Sequence, residues 1–183
     1  MTHLTIQAVT GAAADRVTAL VELHRQAFPA HMQSADPESY FAEALGDRRN
    51  LNIVMQDQAG TVIGYLLAIP QSLACEELRP WDPDMRDEPD RLYLEMIQVL
   101  PEQRGRNLAL RLFQAVCTEA EKRNIFKLAM HARTVTGLNG YLHRIFTDIR
   151  CLRRLENWYG SGEPFDYLEA TTTLSPAAVS AVA

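Results

Sequence analysis

Leu92-Tyr93-Leu94-Glu95-Met96-Ile97-Gln98-Val99-Leu100, followed by Pro101-Glu102-Gln103-Arg104-Gly105-Arg106-Asn107-Leu108-Ala109 and then by Leu110 through Arg123, is the stretch that decides the fold. Its first nine residues are apolar or aromatic except for Glu95 and Gln98. Such a run suits a strand covered on both faces. Pro101 has no N–H to give a ladder, so pairing stops there. Apolar residues then recur at Leu108, Leu112, Ala115, Val116 and Ala120, mostly three and four apart, which is one face of a helix. Between strand and helix lies a tight loop, Arg104 to Ala109. Small residues there let the backbone amides at the helix start face outward, towards an anion. With two arginines beside them, a phosphate-bearing ligand is the physical expectation. A strand–turn–helix that binds nothing is the alternative.

Upstream, Leu4 to Val9 reads as a first strand, and Asp15 to Phe28 as a helix that ends before Pro29. Ser34 or Asp36 is placed to cap a second helix that runs through Phe41 to a stop at Gly46. Leu51–Met55 and Thr61–Ile69 flank Asp57-Gln58-Ala59-Gly60, a hairpin with a glycine turn. Residues 71–91 mix three prolines with acids. They read as an irregular acidic insertion, or as a short helix over Leu73–Leu78 followed by a surface loop. Downstream, the sequence predicts a strand at Ile125–Ala132, a helix over Thr136–Phe146, and two strands, Ile149–Tyr159 and Phe165–Leu174, about a glycine-rich turn. Residues 175–183 are expected to fray. The chain is read as one α/β domain, residues 1–174, with no repeat or linker.

Composition narrows the function. With 183 residues, 47% hydrophobic and 22% charged, the chain has the profile of an ordinary soluble globular protein long enough to bury a real core. It carries no apolar run of membrane-spanning length and no signal-peptide pattern at its start, and its three cysteines lack metal-type spacing. A cytoplasmic location with reduced thiols follows, with no membrane partner and no metal. Its net charge of −5 argues against a nucleic-acid partner. Charge is unevenly spread. Between Glu76 and Asp90 there are seven acids against Arg79 and Arg86, while Arg104 to Lys127 holds six bases against Glu119 and Glu121. Such a split suits a cationic amine meeting an anionic cosubstrate; two unrelated surface patches would look the same.

The loop resembles motif A of the GNAT superfamily of acetyl-CoA-dependent N-acetyltransferases: Arg or Gln, two residues, Gly, any residue, then Gly or Ala, after a strand ending in Val-x-Pro. Arg104 and Ala109 fill the first and last positions, behind Val99-Leu100-Pro101. Asn107 stands where the central glycine usually sits. Asn tolerates positive φ better than most residues, so the loop can keep its shape, although a Cβ then faces the pyrophosphate. The order strand, two helices, hairpin is also how such chains begin. The resemblance implies a GNAT fold, a mixed central sheet flanked by helices. It implies acetyl-CoA as cosubstrate, with the backbone of Ile97, Gln98 and Val99 pairing to pantetheine. Arg104, Gly105, Arg106, Asn107, Leu108 and Ala109 then hold the pyrophosphate. The implied activity is transfer of acetyl to a primary amine, on a small molecule or on a peptide or protein N-terminus. A catalytically degenerate acyl-CoA-binding module is the alternative, motivated by Asn107 and Ile145. Monomer and homodimer both stay open.

Three side chains are candidates for the proton transfers. Tyr141-Leu142-His143-Arg144-Ile145-Phe146 is similar to the family's Tyr-x-x-x-Gly-Phe, whose tyrosine protonates the coenzyme A sulfur. A phenol near pKa ~10 and a thiol near ~8.5 are close enough for that transfer. A core tyrosine whose hydroxyl reaches solvent is the other reading. Glu95 interrupts an apolar strand and bears a burial cost unless it is paired or protonated. It is either the general base, as the family's central-strand acid implies, or a structural partner of an arginine such as Arg133. His131, on the following strand, is a base with a pKa suited to neutral pH or a structural donor. Glu156-Asn157-Trp158-Tyr159-Gly160-Ser161-Gly162-Glu163 resembles the Asn-Tyr-Tyr-x-x-Gly-Glu-Asp loop of the protein N-terminal acetyltransferase branch, with Pro164 in place of the acid; an aromatic hairpin packing the core fits equally. A nucleotide-hydrolysing P-loop is excluded because no Gly-Lys-Ser/Thr follows the turn, and the three glycines of the dinucleotide fingerprint are missing.

Overall fold

The computed structural model describes residues 4–181. The first three residues of the expected domain and the last two of the expected tail lie outside the described residues. Seven strands form one mixed sheet, in the order β1-β2-β3-β4-β5-β7-β6. They are β1 (Thr5–Val9), β2 (Leu51–Gln56), β3 (Val62–Pro70), β4 (Arg91–Val99), β5 (Lys127–Arg133), β6 (Ile149–Leu155) and β7 (Phe165–Thr171). The helices are α1 (Ala14–Ala27), α2 (Pro37–Gly46), α3 (Gln71–Leu78), α4 (Leu108–Lys122), α5 (Leu138–Ile145) and α6 (Pro176–Ser180). This is the α/β architecture the sequence implies. Among the described residues no helix is long and apolar enough to cross a membrane.

The chain divides into two compact units. The first takes residues up to Ala68 together with Met96–Glu119. In it β1, β2 and β3 pair antiparallel. Nearly every residue of β2 and β3 is buried, so both faces of these strands are covered. The hairpin turn between them is held by the Asp57 carboxylate, which accepts from the amides of Ala59 and Thr61 at 2.9 and 3.0 Å. Asp36 caps α2 by accepting from the Ser39 amide at 3.0 Å, with Pro37 at the first helical position. Gly64 sits in mid-strand because its neighbour comes close. A Cβ there would meet the Gln98 carbonyl oxygen at 3.1 Å and Leu112 of α4 at 3.4 Å.

The second unit takes Ile69–Glu95 and the residues from Ala120 onward. Here β4 runs parallel to β5 over Arg91–Tyr93, and β7 pairs antiparallel with both β5 and β6. Of the two readings of residues 71–91, the short helix is realised as α3, and Arg79 to Asp90 follow as turns and irregular backbone. Two expectations are corrected. β6 ends at Leu155, not Tyr159, because Trp158–Gly160 closes a 3-10 turn with Tyr159 at φ 53°. The expected frayed tail instead forms α6, because the Ser175 hydroxyl accepts from the Ala178 amide and Pro176 starts the turn.

Candidate active site

In the first unit, Pro101–Gln103 form a 3-10 turn after β4, and an exposed loop of Arg104 to Asn107 leads into α4. Two loop residues adopt left-handed backbone, Gly105 at φ 78° and Asn107 at φ 58°. Asn107 is therefore left-handed at the position where the motif usually has glycine, a backbone conformation that asparagine tolerates. Its carbonyl accepts from the Arg111 amide at 3.1 Å, the first hydrogen bond of the helix. The first-turn amides of a helix have no intrahelical backbone acceptor, and the positive end of the α4 dipole lies at this loop. Arg104 holds this loop in place. Its Nε donates to the Val99 carbonyl and its Nη2 to the Ala27 carbonyl, each at 3.3 Å, tying the end of β4 to the end of α1. Arg106 donates to Gln103 Oε1. An exposed turn with two left-handed residues, a helix start and two guanidinium groups fits a diphosphate.

The second unit holds the three proton-transfer candidates. Glu95 is half-buried on β4, two residues beyond Tyr93 and therefore on the same strand face. Arg133, the arginine suggested as its partner, instead makes a two-pronged ion pair with Glu163. Tyr141 is half-buried on α5. Burial pushes its phenol above the usual value, and the Arg144 guanidinium, 5.8 Å from the ring centre, works against that rise. The phenol is thus fully protonated at neutral pH.

His131 is enclosed. Its side chain is 1% exposed and stacks on Trp158 at 3.7 Å with the rings 20° apart. Asp82 Oδ2 lies 3.0 Å from Nε2, and the Tyr93 hydroxyl lies 2.8 Å from Nδ1. A carboxylate only accepts, so Nε2 carries the proton and Nδ1 accepts from Tyr93. Burial drives the imidazole towards neutrality; the Asp82 charge opposes this and loses. Asp82 is itself 1% exposed. Burial raises its carboxyl, but the hydrogen bonds from His131 and Arg153 overcome that and hold it below the usual range. Arg153 closes the chain, donating through Nε to Asp82 Oδ1 at 2.9 Å while its guanidinium lies 4.1 Å from the Tyr167 ring centre. The run Tyr93–His131–Asp82–Arg153 escaped the sequence. Its members lie on four separated segments, and no local spacing announces them.

The buried histidines set an acid limit on stability. His131 and His24 both have folded pKa values below the ordinary 6.5, for His24 through burial first and then the Arg25 charge. The unfolded chain therefore binds these protons first as pH falls. Their stabilisation is fully present above about pH 6.5 and is lost progressively below it. Asp82 and Asp166, both depressed, extend the loss below pH ~4. The melting temperature is expected to fall between pH 7.5 and pH 5; a flat profile across that interval would contradict the buried neutral assignment.

Comparison with known proteins agrees with this geometry. The model of the acetyltransferase (GNAT) family matches residues 17–146. Similar solved structures include the ribosomal-protein-S18-alanine N-acetyltransferase from Escherichia coli, with a TM-score of 0.65 at 17% identity, covering 94% of this chain and 96% of that one. An aminoglycoside 6'-N-acetyltransferase complexed with coenzyme A gives 0.69 at 13% identity, covering 94% and 99%. A chimeric spermidine N-acetyltransferase from Vibrio cholerae and hSSAT gives 0.65 at 14% identity, covering 92% and 95%. Among curated proteins none matches the sequence.

Proposed function

Because this chain belongs to the acetyltransferase (GNAT) family, whose members draw on acetyl-CoA, we propose that it transfers acetyl directly to a primary amine on a small molecule or a peptide. The observation that carries the reading is the left-handed Asn107 at the head of α4, which supports a working diphosphate loop in a motif that lacks its glycine.

Bound acetyl-CoA supplies the acetyl group as an activated thioester. The amides of Gly105 to Ala109 and the charges of Arg104 and Arg106 hold its pyrophosphate, and the backbone of Ile97, Gln98 and Val99 orients the pantetheine arm. Glu95 takes the proton from the incoming ammonium, directly or through a water, so that the nitrogen lone pair is free to attack. Tyr141, protonated at neutral pH, donates its phenolic proton to the departing sulfur, although burial makes it a weaker acid than a free phenol. His131 acts through Tyr93. With its Nε2 proton held by Asp82, it fixes the strand that carries Glu95 and does not itself touch the amine. The free thiols Cys75, Cys117 and Cys151 suit a reducing compartment, and we place the reaction in the cytoplasm.

Thiol release from acetyl-CoA, followed across peptide, polyamine and small-amine acceptors, tests the proposal. Glu95→Gln is expected to lower kcat/KM by about a hundredfold or more, the scale of a lost general base. An unchanged rate would remove Glu95 from the mechanism. Coenzyme binding without turnover on any acceptor would point to a binding module.

A further inference from the structure

The 3-10 turn after β6 and the turn after α3 place two large aromatic side chains face to face in the second unit. Trp81 and Tyr159 stack at 5.2 Å with their rings 28° apart, although they are 41% and 46% exposed. A stacked aromatic pair this open to water offers a face on which a ligand can pack. The backbone is bent to present them. Tyr159 sits at φ 53° and Gly160 at φ 68°, and a Cβ at Gly160 would lie 3.8 Å from the indole. Positive φ on a bulky residue is costly and persists only where its surroundings hold it. Those surroundings are present: Trp158 meets Tyr159 edge-on at 5.2 Å, and Trp158 in turn stacks on the buried His131.

Negative charge lies beside the platform and outweighs the exposed Arg79 and Arg86 of the same segment. The Tyr159 hydroxyl donates to Glu77 Oε1 at 3.4 Å. Burial first, then the charges of Glu77 and Glu95, push the Tyr159 phenol well above its usual range. Glu76 and Glu77 are exposed on α3, as are Asp84 and Asp87 on the turns that follow. Aromatic faces and carboxylates together attract one class of ligand, an organic cation. The nitrogen that attacks must be uncharged, so a simple monoamine brings no charge to such a platform at the moment of reaction. A diamine keeps one distal ammonium throughout.

Resting on the transferase reading above, we propose that Trp81 and Tyr159, with Glu77 beside them, bind the distal ammonium of a diamine or polyamine acceptor while its other nitrogen is presented to Glu95. Trp81 is then a specificity-determining residue, contributed by the acidic segment between α3 and β4.

Calorimetric titration of the full-length protein with spermidine, without coenzyme, tests the platform independently of turnover. Trp81→Ala and Glu77→Gln are each expected to weaken binding about tenfold or more, with Trp81→Phe restoring part of it. In steady state the preference in kcat/KM for spermidine over butylamine falls by a similar factor in Trp81→Ala. Equal affinity of wild type and Trp81→Ala, absence of spermidine binding to the wild type, or preferential binding of a peptide with a free N-terminus would each overturn the proposal. Spermidine binding that is lost in Trp81→Ala, in a protein that transfers acetyl to nothing, would support the platform and sink the transferase reading instead.

Discussion

Tyr141→Phe is expected to lower kcat for acetyl transfer by about 10²- to 10⁴-fold, the range for loss of a positioned general acid, while KM for the acceptor changes little. The substitution removes one oxygen. The ring stays half-buried on α5 and its contact with the Arg144 guanidinium survives, and a melting temperature measured beside kcat separates lost chemistry from lost stability. With the phenol raised by burial, the wild-type acid limb lies beyond the ordinary alkaline range, and activity should not fall on that account below about pH 10. Pre-steady-state measurement of thiol release separates the proton step from product release. A variant within a factor of two of wild type would mean that the leaving sulfur takes its proton elsewhere.

The second large effect is on stability. Asp82→Ala leaves the His131 Nε2–H and the Arg153 guanidinium without their shared acceptor. Removing one member of a buried, hydrogen-bonded charge pair costs roughly 3–5 kcal/mol. For a chain of this size that is a fall in melting temperature of roughly 6–20 °C. Asp82→Asn keeps the shape and one acceptor oxygen, so it should lose less. Because Asp82 joins the turn after α3 to β5 and β6, the alanine variant should also speed amide exchange in that turn. A melting temperature unchanged by either substitution would show that the network carries no net stability.

What could be read from the sequence follows from how local each signal is. The run from Leu92 to Lys122 carried its own strand, stop and helix face, and Asn107 announced its left-handed backbone by being one of the few residues that accept it. The caps at Asp36 and the hairpin turn at Asp57 were equally local. Asp82 was one acid among seven in its segment, and nothing near it in the chain distinguished it. Its burial is decided by His131 and Arg153, 49 and 71 residues away. Glu95 was visible as a polar break in an apolar strand, yet which acid Arg133 would pair with depended on the loop that brings Glu163 to β5. The end of β6 was misjudged because Trp158 and Tyr159 have strand propensity, while the turn they form is fixed by packing on His131 and Trp81.

The claim on which the account depends is that the loop opening α4 holds a diphosphate with asparagine in the glycine position. Hydrogen exchange of the amides from Gly105 to Leu110, measured during titration with coenzyme A, tests it most directly. The account predicts saturable heat and slowed exchange confined to that loop and the first turn of α4. Unchanged exchange there at saturating coenzyme A would contradict it, whatever else the protein binds.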